Sequence, residues 1–149
     1  MQRRKFIQST TSAFLLLASG EVVKAEGSWL TNLSAKKLKL RFAVASDGHY
    51  GQPNTDYENY FKSVVDHINN QHTSNPFAFC MINGDIIHDD KAHCPAAKAA
   101  LDRLQVKYYV SQGNHDKLTA AEWLQTWKMP INLHFNIKKN SFVIASTSN

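Results

Sequence analysis

Three apolar segments of this chain close in the same way, and that repetition limits the possible folds more than any other feature. Residues 38–45 (LKLRFAVA) run into Ser46-Asp47-Gly48-His49. Residues 77–82 (FAFCMI) break at Asn83-Gly84-Asp85. Residues 106–111 (VKYYVS) lead through Gln112 to Gly113-Asn114-His115-Asp116. Each has the length and side chains of a strand; the first alternates and then turns continuously apolar, as a buried strand does. Helical patterns lie between them. Tyr57, Tyr60, Phe61, Val64, Val65 and Ile68 recur at helical spacing behind a possible Thr55/Glu58 capping box. Residues 95–104 (PAAKAALDRL) are alanine-rich with proline in the first turn. The order β-α-β-α-β predicts an α/β fold with parallel strands joined by helical crossovers. Ligands of such sheets bind beyond the carboxyl ends of the strands. The three polar clusters, far apart in sequence, are therefore expected on one sheet edge.

Further on, Thr119 and Glu122 form a second capping-box pattern, opening a short helix with Trp123, Leu124 and Trp127. Residues 133–137 and 141–146 read as two more strands joined at Lys138-Lys139-Asn140.

The chemistry of the clusters is specific in combination. Asp47 and His49 are two residues apart, so an extended chain would aim both the same way. Gly84 before Asp85 and Gly113 before Asn114 permit sharp turns and close backbone approach. Taken singly, each cluster is also ordinary turn chemistry. Together they gather carboxylate, imidazole and amide oxygen, which suit a divalent transition metal such as manganese, iron or zinc. Clustered carboxylates without a cation would repel one another.

Asp47-Gly48-His49, Gly84-Asp85 and Gly113-Asn114-His115-Asp116 resemble the first three motifs of the calcineurin-like metallophosphoesterases, over residues 40 to about 146. The resemblance implies a two-sheet sandwich flanked by helices, of which this chain would be the N-terminal part. It implies hydrolysis of a small-molecule phosphoester by hydroxide activated between two divalent cations. It implies Asp47, His49, Asp85 and Asn114 as metal ligands, with Asp85 bridging. His115 would contact the phosphate and protonate the leaving oxygen, and Asp116 would orient His115. Purple acid phosphatases, one branch of the family, place a tyrosine where this chain has His88, so a ferric-tyrosinate site is not expected. For His88 and Asp89 the sequence allows a surface or capping role, or help in binding substrate. The family also uses a later histidine and a closing Gly-His-x-His. The sequence contains no Gly-His-x-His, and His67, His72, His88, His93 and His134 stand in no matching motif. The second metal site is thus expected to be incomplete and the activity of these 149 residues reduced or absent. The alternative is an exported non-catalytic protein binding metal or phosphate with the same half site.

Residues 1–25 carry a basic start (Arg3, Arg4, Lys5), a short apolar run and small residues, the parts of an export signal. The adjacent arginines resemble a twin-arginine signal, which implies export machinery as a partner and a periplasmic or secreted destination. The apolar run is too short to serve as a stable membrane anchor. Residues 26–37 read as a linker, and 38–149 as the metallophosphoesterase part. Of the chain's formal +5, residues 1–25 hold a net +3. The remaining +2 gives no reason to expect a nucleic-acid partner. Two cysteines, Cys80 and Cys94, are too few for a disulfide scaffold, and the sequence leaves their pairing open.

Overall fold

The structure is a computed structural model and describes residues 40–146. The expected export signal, the linker, and the first two and last three residues assigned to the domain lie outside the described residues. Three short parallel strands form one sheet in the order β1-β2-β3: Ala43–Ser46, Cys80–Asn83 and Tyr108–Ser111. Their register pairs Ser46 with Asn83 and Asn83 with Ser111, so all three end on one line. The α/β reading from sequence holds, and the strands are shorter than their apolar runs. The run in residues 38–45 narrows to a strand that begins at Ala43.

The helices cover one face of this sheet. α1 (Tyr57–Ser74) buries Phe61, Val65 and Ile68, spaced by four and three residues along one stripe. Tyr60 falls off that stripe and is exposed, contrary to its expected place in the core. The Thr55/Glu58 capping box does not form. Asp56 is the N-cap without a side-chain cap bond, and Thr55 Oγ1 donates instead to the Gln52 carbonyl at 2.8 Å. Ahead of α2 (Cys94–Leu101), a 3₁₀ turn (Lys91–His93) is capped by Asp90, which accepts from the Ala92 amide at 2.9 Å. α2 buries Cys94, Ala97 and Leu101 and stops three residues earlier than its composition predicts. Asn69 accounts for that end: its side chain accepts from the Gln105 amide at 2.8 Å and donates to the Arg103 carbonyl at 3.0 Å. α3 (Ala120–Trp127) has the predicted Thr119/Glu122 capping box and buries Trp123 and Trp127. Cys80, Ile82 and Val110 from the sheet complete this core with the three helices. Cys80 and Cys94 are free and buried, and burial pushes their thiols up to about 12 and about 11, so neither is reactive.

Alternate strand residues point the other way. Phe79, Met81 and Tyr109 meet a hairpin of β4 (Leu133–Ile137) and β5 (Asn140–Ile144), which forms a second, antiparallel sheet. Tyr109 and Phe135 stack with centroids 3.7 Å apart, while Phe79 and Phe142 meet edge-on at 4.8 Å. The hairpin covers this face unevenly. Phe42, Val44 and Val143 stay exposed along a groove of about 270 Å³, so β1 is half-exposed rather than buried on both faces. Among the described residues, no helix is long and apolar enough to cross a membrane.

Candidate metal centre

The aligned strand ends deliver three loops to one edge, and backbone hydrogen bonds then tie the loops together. The amides of Asp47, His49 and Tyr50 donate to the carbonyls of Gly84 (3.3 Å), Asp85 (2.8 Å) and Ile86 (2.8 Å). The His88 amide returns to the Tyr50 carbonyl at 2.9 Å, and Tyr50 and Ile87 form a parallel bridge beyond the strands. The third loop is held by Asp85, whose Oδ1 accepts from the His115 amide at 2.9 Å. Gly113 lies so close that a Cβ there would stand 2.2 Å from Asp85 Oδ1 and 2.3 Å from the Asp85 nitrogen. Glycine is required at 113 for this approach, not for an unusual φ.

The backbone is strained where the site is. Asp47, His49 and Asp85 have φ of 57°, 47° and 49°, in the left-handed region that side chains other than glycine seldom enter. Asp89 and Lys117, beside them, do the same. Such strain collects at functional sites, where the surroundings hold it in place. It also corrects the reasoning about Asp47 and His49. Their segment is curled rather than extended, and curling is what brings the side chains together. One ligand atom from each of Asp47, His49 and Asp85 lies within 4.8 Å of the others.

This donor set fits a divalent cation. Two carboxylates and an imidazole match the mixed oxygen and nitrogen preferences of manganese, iron and zinc. Among the described residues, no lysine or arginine forms an ion pair with Asp47 or Asp85. Ser46 donates to the Asp47 carboxylate, and its hydroxyl also reaches the Asn83 carbonyl at 2.7 Å. Asn114 is exposed and sits between Gly113, whose amide donates to Asp116, and His115, whose amide donates to Asp85.

Asp116 plays a different part from the one the resemblance implies. It is 1% exposed, and neither of its oxygens serves His115. Oδ1 accepts from the amides of Ile86 (2.8 Å) and Ile87 (3.0 Å), and Oδ2 from Gly113 at 2.7 Å. Asp116 thus staples the second loop to the third. Burial pushes its pKa up, opposed by the three amides and reinforced by the nearby Asp85. The partner of His115 is Asp89, with Nδ1 and Oδ1 3.1 Å apart. The Lys117 ammonium, 2.6 Å from the same oxygen, holds the Asp89 carboxyl below its usual range, helped by His115.

His88 is neither a surface residue nor a helix cap; Asp90 is the cap. Its Nδ1 lies 3.2 Å from Nδ1 of His49, and its ring stacks on His115 with centroids 5.0 Å apart and planes within 12°. His88 and Asp89 are the site residues that motif reasoning left undecided. The available signal was their place: three and four residues beyond Asp85, in a loop that must pass the other two clusters. The remaining histidines are structural or remote. His72 Nδ1 accepts from the Phe77 amide at 3.0 Å, His93 packs by Tyr50 and Tyr57, and His134 is exposed on β4.

A comparison with curated proteins finds no match. The family model for calcineurin-like phosphoesterases matches residues 40–146, the whole described domain. Members of that family usually bind divalent metals, in keeping with the donor group found here. With the three motif loops on one edge and the match extending over more than half its length, this chain belongs to the calcineurin-like phosphoesterase family.

Proposed function

We propose that the chain is a metal-dependent phosphoester hydrolase in which Asp47, His49, Asp85 and Asn114 hold the cation and His115 is the general acid. The convergence of Asp47, His49 and Asp85 ligand atoms within 4.8 Å, beside His115, carries this reading. When bound, divalent cations supply an activated water and positive charge for the phosphoryl oxygens. Everything else falls to the protein. The Ile86, Ile87 and Gly113 amides fix Asp116, and Asp116 fixes the loops that carry Asp85 and His115. Asp89 accepts from His115 Nδ1, which leaves Nε2 as the nitrogen that delivers a proton to the leaving oxygen. Lys117 keeps Asp89 ionised for that task and adds positive charge at the rim.

The test is phosphate release from a generic aryl phosphate monoester and diester, with manganese, iron(II) or zinc added. The wild-type chain should turn over substrate with at least one of these metals, at a reduced rate because its second metal site is expected to be incomplete. Asp85→Asn should lose both metal and turnover. His115→Ala should lose roughly 10²–10⁴-fold in turnover and keep its metal. Metal binding without phosphate release would instead support a binding protein using the same half site. Loss of metal in His115→Ala would make His115 a ligand and overturn its role as acid.

Export is part of the same proposal. The twin-arginine pattern at Arg3 and Arg4 fits a route that moves folded proteins, which allows metal to be loaded before export and places the enzyme in the periplasm or outside the cell. Normal export of a chain with Arg3→Lys and Arg4→Lys would contradict it.

A further inference from the structure

His88 stands in the site with no role in the chemistry proposed above. One nitrogen each from His49, His88 and His115 lies within 4.8 Å of the others, whereas Asp47 and Asp85 form their group with His49. His49 is the member common to both. Its Nδ1 lies 3.2 Å from Nδ1 of His88, a hydrogen bond in which one ring must donate and the other accept. A histidine that binds a cation uses an unprotonated nitrogen, and its other N–H is taken by a partner outside the ligand set. These two demands fix every proton in the pair. His49 carries its proton on Nδ1 and donates it, which leaves Nε2 for the cation. His88 accepts at Nδ1 and therefore carries its own proton on Nε2. That nitrogen faces Asp89 Oδ2 at 3.9 Å, too long for a hydrogen bond but within reach of the carboxylate's charge. The other oxygen, Oδ1, is taken by His115 and Lys117. The backbone presents His88 firmly: its amide donates to the Tyr50 carbonyl at 2.9 Å, one residue after His49, and its ring is backed by His115.

We infer that His88 is a positioning residue for His49. It is not itself a ligand; its Nδ1 accepts the His49 Nδ1 proton and so sets the tautomer and ring angle with which His49 meets the cation. This inference rests on the metal site proposed above and deepens it. Asp89 then serves both sides of the centre, with Oδ1 toward the acid His115 and Oδ2 toward the histidine that orients His49. Partners of this kind contribute about 10–100-fold to metal affinity.

Two substitutions separate the acceptor from the space it fills. His88→Asn keeps an oxygen where Nδ1 stands, and His88→Leu fills similar space without one; urea melts check that each is folded. The His49 tautomer is read in the metal-free chain by long-range proton–nitrogen NMR at about pH 8, above the ordinary imidazole titration. The His49 signals are identified by their loss in His49→Gln. Zinc and cobalt(II) affinities are read by titration. The wild-type chain should show His49 protonated at Nδ1. His88→Leu should shift His49 toward the Nε2–H form and bind metal about 10–100-fold more weakly, yet reach the wild-type cobalt absorption bands at saturation. His88→Asn should keep the Nδ1–H form and most of the affinity. Wild-type tautomer and affinity in His88→Leu, or no rescue by His88→Asn, would overturn the role of His88 alone. Altered cobalt bands at saturation in His88→Leu would overturn it too, since His88 would then be a ligand itself. No metal binding by the wild-type chain, or unchanged binding in Asp85→Asn, would overturn the metal site and this inference with it.

Discussion

Adding one methyl group at Gly113 should damage the metal site through Asp85. The new Cβ would stand 2.2 Å from Asp85 Oδ1, 2.8 Å from Cγ and 2.3 Å from the Asp85 nitrogen. Ordinary contacts between such atoms begin above about 3 Å, so something must move by roughly 1 Å. The obstruction includes backbone, and swinging the carboxylate aside does not relieve it. Asp85 itself is held at a φ of 49°, and its Oδ1 accepts from the His115 amide. Overpacking of this kind costs about 1–3 kcal/mol. Functional constellations tolerate displacements of only about 0.5 Å, so the cation should suffer more than the fold. Gly113→Ala should therefore unfold at lower urea concentration by an amount matching about 1–3 kcal/mol. It should also bind its metal at least tenfold more weakly, a change of about 1.4 kcal/mol. Urea melts of the metal-free chain and competitive metal titration read the two effects separately. A Gly113→Ala protein with wild-type metal affinity would refute the claim that the third loop sets the position of Asp85.

Other positions give independent checks. Asp116→Asn leaves an acceptor for Ile86 and Ile87 but turns an NH₂ group toward the Gly113 amide, and should cost about 1.5–3 kcal/mol in urea melts. Trp123 is fully buried with an unpartnered Nε1, so Trp123→Phe removes an unsatisfied donor and should cost less than about 1.5 kcal/mol, whereas Trp123→Ala should cost about 3–5 kcal/mol. The Glu122 carboxyl is held down at about 2 by Lys91 and then by the Thr119 amide and hydroxyl. A depressed acid stabilises the fold above its unfolded pKa of 4.5 and loses that contribution as pH falls toward about 2. Acid melts should therefore show Glu122→Gln losing stability mainly above this window and converging with wild type below it.

Much of the fold could be read because apolar periodicity and strand–helix order are written locally. The Thr119/Glu122 box formed because both partners and the helix start coincide, with Thr119 Oγ1 accepting from the Glu122 amide at 3.3 Å. The same pattern at Thr55/Glu58 failed, because Thr55 found a carbonyl in the preceding turn and Asp56 took the cap position. Tyr60 fits a helical stripe on paper, yet α1 turns it to solvent, since the sheet accepts only the Phe61, Val65 and Ile68 face. At the site, the three polar clusters were legible from glycine placement and strand order. That Asp89 rather than Asp116 meets His115 was not. It depends on which carboxylate the folded loops bury, and three backbone amides converging from residues 86, 87 and 113 decide that in favour of Asp116. His88 was hidden for a similar reason. Only the bridge between Tyr50 and Ile87, formed past the ends of the strands, brings it beside His49.

The most direct measurement is anomalous X-ray diffraction from crystals of the chain grown with zinc or manganese, recorded at the absorption edge of the metal. The account predicts a peak in contact with the Asp47 and Asp85 carboxylates and the His49 imidazole. Crystals in which the metal binds elsewhere, with those three side chains left without it, would contradict it.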